Sequence, residues 1–363
     1  MNRKLNFYAG PAVLPEEVLN ELQANMADYH ENGFSLIEAS HRGAVYDGLH
    51  NETVQLFKEL LQVPDDYSVL FLGGGATLQF SMVPMNLLKE DKTADYVKSG
   101  AWAGKAVKDA EKVGNVNLLY DGRDNNYTSL PSPKELRPSA NSAYVHITSN
   151  ETIGGVQWKE WPDTGNIPLV ADMSSDILSR PVPVEDFALI YAGAQKNLGP
   201  AGTTVVIIRN DLWKDSPEQL TAYLSYKTHA EKNSLYNTPP VFSIWAINLV
   251  LKWVKKMGGV AEMEKRSVEK SRMLYEVIEE SGGFYTCPVD RNYRSTMNVV
   301  FRLRNEELEG QFLKESDELG MLGLKGHRSV GGCRASIYNS QPIDSVAVLA
   351  KFMKNFAKSH HKG

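Results

Sequence analysis

Cysteine is scarce: the 363-residue chain has two, Cys287 and Cys333, in neither a CxxC pair nor a zinc-like spacing. A disulfide framework and a cysteine-based zinc site are excluded, and a reducing compartment, the cytoplasm, is the expected setting. Long apolar runs are missing too. The greasiest segment, 241–251, is interrupted by Ser243 and Asn248 and ends at Lys252, far short of the ~20 residues that span a bilayer. It reads as a buried helix. The opening MNRKLNFYAGPAVLPEEV has no continuous hydrophobic stretch, and Pro11 and Pro15 interrupt it, so export is not expected. Positive charge is in deficit: 39 Lys and Arg stand against 44 Asp and Glu, a formal net charge of -5. That excludes a general attraction for nucleic acid or an anionic membrane, and any anion site must be a local cluster. No repeat or low-complexity tract is visible. The tail histidines His360 and His361 read as solvated rather than metal-binding, and no metal is expected.

What the chain does have is an ordinary globular composition, 42% hydrophobic and 23% charged, and length enough for about two domains. Short β-rich runs at 68–72, 94–98, 116–120, 143–148, 167–171, 187–191 and 203–208 alternate with helical or turn segments, as in a mostly parallel sheet covered by helices. Between the last two runs there is no room for a crossover helix, so one strand is expected to be antiparallel. After Thr238 the text PPVFSIWAINLVLKWVKKMGG predicts a helix with a threonine N-cap, prolines in its opening positions and glycines beyond its end. A second helical pattern follows, and from about 283 comes an α+β stretch: a strand at 297–302, a helix at 306–319, a strand at 334–338 and a final helix. The expected boundary near Gly258 gives a large domain, 16–258, and a smaller one built from 1–15 and 259–363.

Three segments carry chemistry. In LFLGGGATLQF a strand runs into Gly73, Gly74 and Gly75 and then a helix-compatible segment; unpaired N–H groups at such a helix start suit a phosphate, although the same turn often serves only tight packing. In LVADMSSDIL a strand ends in Asp172, followed by Ser174 and Ser175, and strand ends of this kind are where open α/β sheets bind ligands. In LIYAGAQKNLGPAG, Lys196 follows a buried-looking strand beside small residues. A desolvated lysine has a lowered pKa, which frees its amine to form a Schiff base. Strand-end aspartate, second strand-end lysine and phosphate-type turn occur in the order that a fold-type I pyridoxal-phosphate enzyme uses. Trp102, in KSGAWAGKA, offers either a face for ring stacking or a core tryptophan.

These residues resemble class V aminotransferases. NFYAGPAVLP, SHRG at 40–43, GGGATLQF, VHITSNETIGGVQW, ADMSSDILS, YAGAQKNLGPAG, YNTPP and GHRSVGGCRASIYN narrow the resemblance to the phosphoserine aminotransferase family, nearly end to end. It implies an α/β fold of the fold-type I PLP-dependent transferases, a mostly parallel sheet with one antiparallel strand plus a smaller C-terminal α+β domain. It implies pyridoxal 5'-phosphate as cofactor, with Lys196 as its Schiff-base lysine, Asp172 on the pyridine nitrogen, Trp102 on the ring, and Thr152 and Ser174 helping to hold it. Ala76, Thr77 and Gln195 would bind its phosphate. Some bacterial members carry an arginine where this chain has Thr77, so that charge is absent here. Arg334 would clamp the substrate α-carboxylate, and His41, Arg42, His327 and Arg328 would receive the substrate phosphate. A homodimer with shared sites is implied, in which Asn237, Thr238, Arg42, His327 and Arg328 come from the partner of the subunit that supplies Lys196. The implied reaction is transamination between L-glutamate and 3-phosphohydroxypyruvate, giving 2-oxoglutarate and O-phospho-L-serine, with a phosphorylated hydroxythreonine as a related substrate. The alternatives are an alanine–glyoxylate aminotransferase, a cysteine desulfurase, or a non-catalytic phosphate-binding protein of the same fold. Neither Cys333, at a strand start, nor Cys287, before Pro288, suits a desulfurase nucleophile.

Overall fold

The computed structural model describes residues 3–360; His361, like the outermost residues of the two terminal segments expected to share a domain, lies outside them. Seven strands form one sheet in the order Tyr67–Leu72, Thr204–Arg209, Leu189–Gly193, Leu169–Asp172, Ser142–Thr148, Thr93–Lys98 and Asn115–Asp121. Thr204–Arg209 is antiparallel to both of its neighbours, and every other pairing is parallel. The cause is the one legible in the sequence: residues 194–203 are too few to cross back over the sheet.

Side chains alternate across this sheet with period two. Val69, Phe71, Ile190, Val205 and Ile207 face one apolar layer with the helices Ala44–Leu61 and Val241–Lys256. Leu70, Leu72, Tyr191, Val206 and Ile208 face the other, with Gly75–Leu87 and Ala101–Ala110. Because both faces are covered, the strands read as unbroken hydrophobic runs. A separate apolar cluster forms around a three-stranded antiparallel sheet of Tyr285–Thr286, Asn298–Leu303 and Cys333–Ser336. Leu5–Asn6 pairs in parallel with Met321–Leu322, which carries Phe7 into this second cluster. The helix Gly259–Glu280 touches both clusters, with Met263 in the first and Leu274 and Ile278 in the second. Among the described residues no helix is long and apolar enough to cross a membrane, and His360 stacks on Phe356 with ring centroids 4.2 Å apart.

The expected elements are present with shifted ends. The run at 167–171 becomes the strand Leu169–Asp172, since Pro168 has no N–H to give the ladder. The run at 187–191 becomes Leu189–Gly193, because a 3-10 turn at Val184–Asp186 takes the Phe187 N–H first. One expectation is corrected. Thr238 does not cap the helix after it: that helix is Val241–Lys256, with Pro240 at its cap position. Residues before proline are driven out of the helical region, so Thr238 and Pro239 stay outside and the prolines precede the helix rather than open it.

The glycine turn after the first sheet strand is built from left-handed backbone, Gly74 at φ 85° and Gly75 at φ 67°. A Cβ on Gly74 would lie 2.7 Å from Leu78 Cβ, whereas one on Gly75 would meet nothing within 4 Å. Gly75→Ala is therefore expected to lose about 1 kcal/mol from backbone strain alone, and Gly74→Ala about 2–4 kcal/mol once the clash is added. Denaturant unfolding of the two variants checks this; equal losses would show that Leu78 does not set the turn.

Candidate active site

The parallel strands deliver their C-terminal ends to one edge of the sheet, the place where the backbone leaves the ladder and ligands are received. Leu169–Asp172 ends there in Asp172, which is buried and accepts the Ser174 N–H at 2.9 Å. Ser174 Oγ in turn accepts the Gly193 N–H at 3.1 Å, joining this strand end to the next. After Leu189–Gly193 the chain turns through Gln195 and Lys196 before the antiparallel strand begins. After Ser142–Thr148 a small hairpin, Asn150–Glu151 with Val156–Gln157, carries Thr152 at its turn.

Lys196 Nζ donates to Thr152 Oγ1 at 2.6 Å and lies 5.6 Å from the centroid of the Trp102 ring. Burial is the largest influence on this amine and pushes its pKa down to about 8, against the pull of the Asp172 and Glu151 carboxylates; Arg334 adds to the lowering. Asp172 shifts the opposite way, raised by burial although Lys196 and Ser174 favour its charge. Arg334, also buried, donates from Nη1 to the Thr152 carbonyl at 3.2 Å. Lys196, Asp172, Ser174, Thr152, Trp102 and Arg334, expected from distant stretches of sequence, thus come together.

Ala76 and Thr77 fall in the first turn of the helix Gly75–Leu87, whose dipole and free N–H groups face the strand-end edge. Of the remaining expected residues, Gln195 precedes Lys196 in the same turn and the others lie on separate loops. Asn237 and Thr238 are exposed and line a small hollow with Gly73 and Tyr223. Arg42 is exposed in the turn before the helix Ala44–Leu61, beside His41. His327 and Arg328 lie in the loop that precedes Cys333–Ser336. His327 lies close enough to Arg334 and Lys105 of its own chain, as well as to Arg328, for their charges to lower its pKa, after the larger effect of burial. Its Nδ1 is 2.7 Å from Ser329 Oγ.

A cavity of about 950 Å³ opens beside these groups, between the first turns of the Trp102 helix and the loop that precedes Cys333–Ser336. Lys98, Lys105, Lys108, Arg123, Arg302 and Arg334 line it, and none of its described lining residues is acidic. In a chain of net charge -5 this is the local cationic cluster that an anion site requires. Cys333 is on its wall, but the thiol is buried and its pKa is pushed up, as is that of Cys287. Neither is the ready thiolate a desulfurase needs.

Several participants were not singled out in the sequence. Lys105 stands 4.0 Å over the Trp102 ring, and the i,i+3 spacing on one helix was the signal available. Gly10 lies so close that a Cβ there would be 3.4 Å from Lys196 Cγ, and Ala12 N–H donates to the Gln195 carbonyl at 2.9 Å. Glu151, buried beside Thr152, gave no signal of its own.

The donor set fits pyridoxal phosphate. A buried carboxylate at a strand end calls for a cation, a desolvated amine stands near it, an aromatic face flanks the amine, and a helix start suits a phosphate. Among the described residues, Trp102 Nε1 and Arg334 Nε are buried without a hydrogen-bond partner, so polar groups at this place remain free for a ligand.

Comparison with known proteins agrees with this geometry. The model of the class-V aminotransferase family matches residues 4–349. A phosphoserine aminotransferase of Geobacillus kaustophilus is 54% identical over 358 residues, covering 99% of this chain and 99% of that protein. The solved phosphoserine aminotransferase from Bacillus circulans subsp. alkalophilus superposes with a TM-score of 0.98 at 52% identity, covering 99% of each chain. The PLP-bound phosphoserine aminotransferase from Trichomonas vaginalis gives 0.92 at 36% identity, covering 97% of this chain and 100% of that one. The chain therefore belongs to the class-V aminotransferases and, within them, to the phosphoserine aminotransferase family.

Proposed function

We infer that the protein is a pyridoxal-phosphate-dependent aminotransferase exchanging an amino group between L-glutamate and 3-phosphohydroxypyruvate, to give 2-oxoglutarate and O-phospho-L-serine. The observation that carries the reading is the desolvated Lys196 amine held by Thr152 within a site that also buries Asp172. When bound, the cofactor supplies a carbonyl carbon that accepts an amino group and a ring that draws off the electrons left by Cα–H cleavage. Lys196 Nζ would serve as its attachment point and, as a free amine, would take the proton from the substrate Cα as general base and give it back as the conjugate acid. Its lowered pKa leaves a usable fraction unprotonated near neutrality. Asp172 holds a proton on the ring nitrogen, a task its burial strengthens because any cation there is its natural partner. Trp102 gives the ring a flat face, and Ser174 fixes the Asp172 carboxylate. Ala76, Thr77 and Gln195 receive the cofactor phosphate.

Arg334 takes the α-carboxylate with a planar guanidinium suited to two parallel hydrogen bonds. His41, Arg42, His327 and Arg328 receive the substrate phosphate, with Arg42, His327 and Arg328 supplied by the partner subunit; Asn237 and Thr238 of the partner subunit complete the cofactor phosphate site. A homodimer is part of this reading, supported by the exposure of Arg42, Asn237 and Thr238 on the single chain. So is the division into 16–258 and 1–15 with 259–363, which the two apolar clusters favour. Two free cysteines fit a cytoplasmic setting. A phosphorylated hydroxythreonine fits the same anion-binding groups.

Lys196→Ala is expected to keep the fold by circular dichroism and to lose transamination by about 10²–10⁴-fold or more. Asp172→Asn should slow the step that breaks Cα–H, seen as a changed deuterium isotope effect. An unaltered rate in either variant would refute the assignment of its residue. Phosphoserine should outperform serine because paired donors are left unsatisfied by the smaller ligand. Its kcat/KM should also fall with added salt while that for serine stays level, since the basic cavity collects anions. Lys108→Gln with Arg123→Gln should weaken that salt dependence without changing kcat. For the dimer, inactive Lys196→Ala and Arg42→Ala chains refolded together should recover activity at roughly a quarter of the sites. No recovery despite proven subunit exchange would mean that each subunit builds its own complete site.

A further inference from the structure

Glu151 is 1% exposed, and no role in the reaction above uses it. Its carboxylate hydrogen-bonds to the start of the helix Ala101–Ala110, a segment 48 residues or more away in sequence, while its charge also reaches Lys196. Oε2 accepts the Trp102 N–H at 3.1 Å, Oε1 accepts the Ala103 N–H at 2.9 Å, and Ser99 Oγ donates to Oε1 at 3.4 Å. These are the N–H groups that a helix start leaves unpaired, and an anion there also meets the positive end of the dipole. The helix has no side-chain cap of its own. Gly100 is explained by the same contact: its backbone is extended, φ 174°, yet a Cβ would lie 2.5 Å from Glu151 Cδ, so any larger residue would evict the carboxylate. Glu151 also adjoins Thr152, the acceptor of Lys196 Nζ. One residue pair thus fixes the lysine on one side and the Trp102 backbone on the other.

We propose that Glu151 is a positioning residue that acts through Trp102, clamping the start of its helix so that the indole is held at the height of Lys196. The inference rests on the stacking role given to Trp102 above. Burial of Glu151 raises its pKa to about 7, while the Ala103 and Trp102 N–H groups pull it down. The two bonds therefore help to retain the charged form that anchors the helix.

The test is a double-mutant cycle read by cofactor binding, not turnover. Full-length apoenzyme is titrated with pyridoxal phosphate, and the dissociation constant is taken from absorbance. Trp102→Ala is expected to weaken binding by about tenfold, the upper end of what a ring–ring stack contributes. Glu151→Gln, which keeps shape but loses one anionic acceptor, should weaken it by about three- to tenfold, and the double variant should be no weaker than Trp102→Ala alone. Gly100→Ala leaves Glu151 in the sequence but displaces its carboxylate. It should reproduce the loss and again add nothing without the indole, so the cycle can be completed even if Glu151→Gln does not fold. Multiplying losses in the double variants would overturn the proposal by showing that Glu151 acts elsewhere. Unchanged binding in Glu151→Gln and Gly100→Ala, with Trp102→Ala weakened, would overturn it while sparing the stacking role. Unchanged binding in Trp102→Ala would remove both.

Discussion

The site depends on holding one amine out of water without losing its reactivity. A lysine freely exposed to solvent is protonated and hydrated at neutral pH, and neither state attacks a carbonyl. Here the amine is placed where burial outweighs the nearby carboxylates, leaving its pKa near 8, and the Thr152 hydroxyl fixes its direction at 2.6 Å. Asp172 bears the converse cost, a carboxylate raised in pKa by burial. Two buried groups of opposite charge type, each shifted toward neutrality, form a site that gains when a cationic ring arrives.

That arrangement is a consequence of sheet geometry. Strands that run in parallel end together, so Asp172, the Lys196 turn, the Thr152 hairpin and the Trp102 helix emerge at one edge although they span much of the chain. The antiparallel strand matters as well. Because Thr204–Arg209 starts at the edge where Leu189–Gly193 stops, the connection bearing Gln195 and Lys196 stays on that edge instead of crossing the sheet. The C-terminal part of the fold then brings Arg334 against the Thr152 carbonyl at 3.2 Å, so Arg334 and Lys196 are referred to the same residue. The N-terminal segment packs against the Lys196 turn through Gly10 and Ala12.

Charge is distributed unevenly for a reason of the same kind. The chain as a whole is acidic, which keeps it from binding polyanions at random. The cavity leading to Arg334 gathers basic side chains with no acidic residue among its described lining. Asp121 ties Lys98 and Arg123 at 3.1 and 2.7 Å and so orders two of them from behind the wall. Burial lowers the pKa of His327, and the nearby charges of Arg334, Arg328 and Lys105 lower it further.

From the sequence by itself came the alternation of strands and helices, the single antiparallel strand, and the chemical identity of Lys196, Asp172, Thr152, Ser174 and Arg334. Those follow from local information: hydrophobic runs, a connection too short to cross over, and residue types whose chemistry the family resemblance names. Element ends were less legible where proline or a 3-10 turn claimed a backbone donor, as at Pro168, Phe187 and Pro240. Other features were decided only by tertiary structure. The cation set of the cavity, the approach of Gly10 to Lys196 and the bond from Glu151 to the Trp102 helix all join residues tens to hundreds of positions apart. No periodicity or spacing encodes such pairs, because what fixes them is which strand ends meet at the edge of a twisted sheet and which buried polar groups must then find partners there.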